Sequence, residues 1–96
     1  MEPIVVEITL DNQWRLTFTP ENQMEDGKFY NVQIIIERFN PPWWEREITG
    51  QVKRDGCADW GGGRPVLIHW CGRKDAELFM IAYDKATAIL QTAGVE

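Results

Sequence analysis

Three side chains that bind metals or act as nucleophiles lie close together in the sequence, namely Cys57, His69 and Cys71. A strand would place His69 and Cys71 on one face, since they are two residues apart. The spacing Cys-x11-His-x-Cys matches none of the common zinc patterns. A Cys–His nucleophile would need a third group to orient the histidine, and neighbours on one strand seldom reach attack geometry. We therefore expect no metal and no cofactor, and thiols that stay reduced.

Two other groups of residues have side chains or backbone that could take part in chemistry. Glu45 and Glu47 could form an acid–base pair, which needs two neighbouring carboxyl groups, but we expect both on the solvent side of a strand. The segment Gly61–Arg64 could form an anion-binding nest, yet it lacks the Lys-Ser/Thr of a phosphate loop and a hairpin connection accounts for it. With one histidine in the chain, we expect a protein that is not an enzyme.

The chain carries five tryptophans in 96 residues. Trp14 and Trp70 are in phase with alternating apolar residues, as core positions are, whereas Trp43, Trp44 and Trp60 fall in segments rich in Pro and Gly. Large rings in loops either cap the ends of a small core or form a binding surface. Arginines flank these tryptophans, and Arg beside Trp is frequent at interfaces. The candidate binding residues are Trp43, Trp44, Trp60, Arg46, Arg54, Arg64, Leu67 and His69.

The net charge of −5 is unevenly distributed along the chain. Residues 1–40 carry −4, residues 41–74 carry +2 and residues 75–96 carry −3, and the basic middle segment holds four of the five tryptophans. The acidic balance argues against general nucleic-acid binding. No apolar run has the ~18–20 residues of a membrane span, and the N-terminus shows no signal-peptide pattern. We expect a cytoplasmic protein without membrane contact, in which residues 1–96 form one domain.

Apolar and polar residues alternate over residues 4–10 and 14–18, which is the period of a strand with one buried face. The segment Asp11–Gln13 suits the turn between them. Pairing Leu10 with Trp14 also brings together the other inward positions, Ile8 with Leu16 and Val6 with Phe18.

The same alternation predicts three further strands, over residues 29–39, 45–53 and 65–71. Residues 20–28 form a polar loop, and Pro41 and Pro42 end the third strand because proline cannot donate to the ladder. The inward positions of the third strand are Tyr30, Val32, Ile34 and Ile36, which pair in order with Phe18, Leu16 and Trp14. The last hairpin pairs Ile48 with Trp70, Gly50 with Ile68 and Val52 with Val66.

Two interpretations fit the C-terminal segment. Residues 75–93 suit one helix with Asp75 as N-cap and Gly94 as its stop, and its buried stripe is Phe79, Ala82, Tyr83, Ala86, Leu90 and Ala93. Alternatively, the apolar run Leu78–Tyr83 lies in a sixth strand over Glu77–Tyr83, and Asp84 caps a shorter helix. We favour the long helix.

The predicted outer face of the sheet is polar on strands one to four, but on strand five it becomes Leu67, His69 and Cys71. A monomer seldom leaves apolar surface of this kind exposed, so we expect a second copy or another protein to cover it.

The predicted fold is α+β, with a curved antiparallel meander of five or six strands and a C-terminal helix packed on its concave face. We expect a small non-enzymatic binding or adaptor protein that acts through protein–protein contacts as a homo-oligomer. One alternative is a carrier or sensor that holds an apolar or cationic small molecule in an aromatic cup between sheet and helix. A second alternative is single-stranded nucleic-acid binding through residues 41–74.

Overall fold

The computed structural model describes residues 2–25, 27–54 and 65–91. They form strands β1 (Ile4–Thr9), β2 (Gln13–Gln23), β3 (Phe29–Asn40), β4 (Trp43–Arg54) and β5 (Pro65–Gly72), followed by helix α1 (Ala76–Gln91). The strands pair antiparallel in the order of the sequence and the sheet is not closed. The predicted α+β meander is confirmed, and residues 77–83 belong to the long helix instead of a sixth strand.

The core lies between α1 and one face of the sheet, which we call the inner face. Its side chains come from alternate positions of the strands and from one side of the helix. Burial of each large apolar side chain contributes about 1.5–3 kcal/mol. The largest fully buried side chains are Trp14, Phe18, Leu16, Ile34, Ile36, Ile48, Leu78, Leu90, Val32 and Val52.

The buried stripe of α1 differs from the predicted one. Leu78 and Ile89 are buried in addition to Ala82, Ala86 and Leu90 of the predicted stripe. Phe79 and Tyr83 are only half-buried, at one side of the helix. Asp75 is the N-cap as predicted, because its Oδ1 accepts hydrogen bonds from the backbone N–H groups of Glu77 and Leu78, both at 3.1 Å.

The predicted pairing phase is correct, but the predicted partners of β1 and β2 are wrong by two residues. Ile8 lies opposite Trp14, and Val6 lies opposite Leu16. The turn begins one residue earlier than predicted, since the Leu10 N–H donates to the Asn12 carbonyl at 2.9 Å. A shift of two keeps every side chain on its face, so the core composition survives the error.

The second strand is longer than predicted and continues through Gln23, across part of the expected loop 20–28. Phe18 therefore pairs with Ile34, and Val32 pairs with Pro20. At the start of β3 the buried ring belongs to Phe29, whereas Tyr30 is half-buried.

The β3–β4 turn is tighter than predicted. Pro41 and Pro42, joined by a cis peptide bond, form the whole turn. Pairing then continues up to Asn40 and Trp43. Trp43 and Trp44 are therefore strand residues, not loop residues as expected.

In the last hairpin the predicted partners are also displaced. Ile48 pairs with Gly72 and Gly50 with Trp70, and the register shifts beyond Gln51 so that Val52 pairs with Leu67. The Trp70 ring covers Gly50, where a Cβ would lie 3.1 Å from Trp70 Cε3. The missing side chain at position 50 thus lets the indole lie against β4.

Gly72 ends β5 where the chain turns towards α1. Its φ is +122°, a conformation that L side chains rarely adopt, and a Cβ there would overlap the Glu47 carbonyl oxygen. The next residue, Arg73, places its guanidinium 5.1 Å from the Trp14 ring centroid and forms ion pairs with Asp11 and Asp75. This contact joins the β5–α1 connection to the β1–β2 turn.

Substitution Gly72→Ala should lower the free energy of unfolding by at least about 2 kcal/mol, because backbone strain and overlap with β4 add together. Urea denaturation measures the change. Gly27→Ala is the control, since Gly27 also has a positive φ (89°) but lies in the β2–β3 loop; it should lose only about 1 kcal/mol. Equal losses would show that the close contact with Glu47 is unimportant.

Candidate functional site

The two tryptophans at the start of β4 lie on opposite sides of the sheet, because successive strand residues alternate. Trp43 is 69% exposed at the tip of the hairpin. Trp44 is half-buried, with its ring 4.9 Å from that of Phe39 and 4.5 Å from the guanidinium of Arg15. Trp44 therefore belongs to the sheet face that α1 does not cover, which we call the outer face, and Trp43 does not.

Four charged residues of alternating sign cross the outer face beside Trp44. Glu7 of β1 pairs with Arg15 of β2, Arg15 with Glu37 of β3, and Glu37 with Arg46 of β4. We call these four residues the charge row. Arg15 and Glu37 form an ion pair at 2.9 Å between Nε and Oε1. At the two ends Glu7 and Arg46 are exposed and have no ion pair with any residue of 2–25, 27–54 or 65–91.

The next positions of the outer face along the strands are uncharged. One row consists of Val5, Thr17, Ile35, Thr49 and Cys71. A further row consists of Thr19, Gln33, Gln51 and His69. His69 is exposed, and its Nε2 lies 3.3 Å from the Thr49 hydroxyl. The charge row thus borders a surface that a partner can cover without burying further charge.

Leu67 does not lie on the outer face, contrary to the prediction. The register shift between β4 and β5 pairs it with Val52, whose side chain is buried on the inner face. A bulge changes which side of the sheet the following residues face. Leu67 packs at the edge of the core, so the predicted apolar outer patch on β5 is reduced to His69 and Cys71.

Arg54 is only 4% exposed and therefore differs from the other arginines predicted to bind. Its Nε donates to the Phe29 carbonyl at 3.0 Å, and Nη2 donates to the Leu90 carbonyl. Helix α1 has no basic residue in its last turn, so this strand arginine places positive charge at the helix C-terminus. The guanidinium connects β3, β4 and α1 in the interior.

The carboxylates of Glu45 and Glu47 both bind Arg38. Its Nη2 lies 3.2 Å from Glu45 Oε1, and its Nε lies 3.2 Å from Glu47 Oε2. The Asn40 side chain donates to the other oxygen of Glu45 at 3.0 Å. These carboxylates therefore hold the β3–β4 hairpin together.

Several predicted residues lie outside the described residues, namely Trp60 and Arg64 of the binding set, together with Cys57 and the glycines of Gly61–Arg64. Within the described ranges no three His, Cys, Asp or Glu residues come together in a way that could hold a metal ion. In the same ranges no helix has the length and apolar character needed to cross a membrane.

The sequence pattern predicted Arg46 and Trp44 as binding residues, but it did not predict the charged residues that lie beside them on the outer face. Glu7 and Arg15 belong to the outer positions predicted to be polar, and the sequence pattern does not single out Glu37. Their relation depends on which residues lie opposite each other, and the sequence pattern gives the face of a residue more readily than its partner.

Comparisons with protein-family models, with curated proteins and with solved structures find no match to this chain.

Arg54→Met should destabilise the protein by about 2–4 kcal/mol, because the buried Phe29 and Leu90 carbonyls lose their charged donor. Lys85→Met is the control: loss of one positive charge at an exposed position of α1 should change the free energy of unfolding by less than about 0.5 kcal/mol. Guanidinium denaturation of both variants tests this. Similar values for the two would contradict a structural role for Arg54.

Proposed function

We propose that this chain is a non-enzymatic binding protein that acts through protein–protein contacts, and that its first partner is a second copy of itself bound through the outer face. The observation that carries the proposal is the charge row. Alternating signs across four neighbouring strands form a pattern that complements its own reversed copy. Closed two-fold dimers need self-complementarity of this kind.

The absence of a helix on the outer face of the described sheet supports the same proposal. The molecule extends over 46 × 26 × 16 Å, as expected for one sheet with one helix on a single side. The area spanned by the two larger dimensions exceeds the ~800 Å² that each partner contributes to a standard interface. A monomer of this shape leaves its outer face in water.

A two-fold axis parallel to the strands, between β2 and β3, matches the charges. It places Arg15 opposite Glu37 of the second copy, and Glu7 opposite its Arg46. The outer members of the row then lie only about 7 Å from the axis at a strand spacing of about 4.8 Å. Glu and Arg side chains are long enough to meet across the gap that the curvature of the sheet opens.

Trp44 supplies the aromatic anchor that such an interface needs. Its ring, half-buried between Phe39 and the Arg15 guanidinium, is held in place before any partner binds. Tryptophan and arginine are enriched among residues that dominate binding energy. The two carboxylates of the charge row balance its two arginines, so the row lacks the excess of positive charge with which proteins bind phosphates, and this disfavours a nucleic acid as the occupant of this face.

Charge reversal at either end of the row tests the proposal by sedimentation velocity over a micromolar concentration series. Glu7→Arg and Arg46→Glu should each weaken self-association about tenfold or more, because each creates two like-charge contacts per dimer. The double variant E7R/R46E should restore association, and so should an equimolar mixture of the two single variants, because their heterodimer brings opposite charges together at both ends of the row. A monomeric wild-type protein, or a double variant as weak as the singles, would refute the arrangement.

The two neighbouring tryptophans provide a second test. Trp44→Ala should weaken self-association about tenfold or more. Trp43→Ala should leave it within about twofold, because Trp43 lies on the other side of the sheet. Light scattering at matched concentrations measures both, and circular dichroism verifies that each variant is folded. Loss of association in Trp43→Ala alone would show that the interface lies at the tip of the β3–β4 hairpin instead of on the outer face.

A further inference from the structure

A groove of about 450 Å³ opens between β5 and the first turns of α1, away from the outer face. Its walls come from Leu67 and Trp70 of β5, from Ala76 and Phe79 of α1, and from Lys74 and Asp75 in the connection between them. The volume lies within the range of about 300–1,000 Å³ that is usual for small-molecule sites.

The apolar part of the groove has a defined aromatic geometry. The rings of Trp70 and Phe79 meet edge to face, with centroids 5.1 Å apart and planes at 81°. Tyr83 stacks behind Phe79 at 5.7 Å. Because Trp70 lies against Gly50, both rings are fixed from behind and present half-buried surfaces to the groove. The walls suit a flat apolar body.

The charge at the rim of the groove determines which polar group a ligand would need in addition to an apolar body. Asp75 is already engaged, since one oxygen caps α1 and the other lies 3.2 Å from Arg73 Nη2. Arg73 is engaged in turn with Asp75, Asp11 and the Trp14 ring. Lys74 is exposed and forms no ion pair within the described part of the chain. The charge left over at the rim is therefore a single ammonium group.

We propose that this groove binds a small amphipathic organic anion, whose apolar body rests between Trp70 and Phe79 and whose acidic group pairs with Lys74. The aromatic walls complement the apolar body of such a ligand, and the ammonium group of Lys74 complements its acidic group. This site is separate from the self-association surface, because its side chains belong to the inner side of β5 and to α1. Either proposal can fail without the other.

Two fluorescent probes that share one apolar body test the charge requirement. Anilinonaphthalene sulfonate is the anion, and N-phenylnaphthylamine is its uncharged parent. The wild-type protein should bind the anion more tightly. Lys74→Gln should weaken anion binding roughly three- to fivefold and leave binding of the neutral probe unchanged. Lys85→Gln, which removes the same charge from an exposed position of α1 outside the groove lining, should change neither.

Filling the groove tests its location. Ala76→Phe should abolish binding of both probes, whereas Met80→Phe, at a 53% exposed helix position outside the groove lining, should preserve it. Circular dichroism and thermal unfolding verify that both variants are folded. Equal wild-type affinity for the two probes, equal effects of Lys74→Gln and Lys85→Gln, or undiminished binding by a folded Ala76→Phe variant would each overturn the proposal.

Discussion

Packing of α1 against the inner face of the sheet is the contact on which the other features depend. Each strand pairs only with its neighbours in sequence, but the helix contacts β2, β3, β4 and β5 together. Both ends of the helix are fixed by groups from outside it: Asp75 caps the first turn, and Arg54 of β4 donates to the Leu90 carbonyl in the last. Polar contacts thus hold both ends of α1, and the apolar side chains beneath it supply most of its stability.

One-sided packing has two consequences for function, one on each side of the sheet. The outer face is not covered by the helix, and its positions combine Thr and Gln with the charge row and with apolar residues such as Val5 and Ile35. On the inner side the helix covers the centre of the sheet but not the edge at β5, where Trp70 and Phe79 remain half-exposed beside Lys74. The outer site therefore follows from packing on one side only, and the groove follows from a single helix being narrower than a five-stranded sheet.

The alternation of apolar residues was sufficient to predict the fold class and the inward positions of the strands, except at Tyr30 and around Leu67. The long helix was favoured over a sixth strand by its N-cap Asp75 and its helix-forming residues. The alternation was insufficient for the partners, since shifting a pairing by two residues leaves every face unchanged. Leu67 was misplaced because a one-residue register shift does change the face, and nothing in the local pattern marks it. The burial of Arg54 also escaped prediction, because its partners at Phe29 and Leu90 are distant in sequence.

The register shift between β3 and β4 explains why the charge row exists at all. Ile36 pairs with Ile48, so an unbroken ladder would place Glu37 opposite Glu47 and Arg38 opposite Arg46. Like charges directly opposite each other destabilise a sheet. The shift leaves Glu47 without a partner in the ladder and pairs Glu37 with Arg46 and Arg38 with Glu45. One extra residue thus replaces two repulsive pairs with two attractive ones, and its own carboxylate joins the Arg38 ion pair. The separate shift beyond Gln51 changes the face of Leu67, which therefore lines the groove.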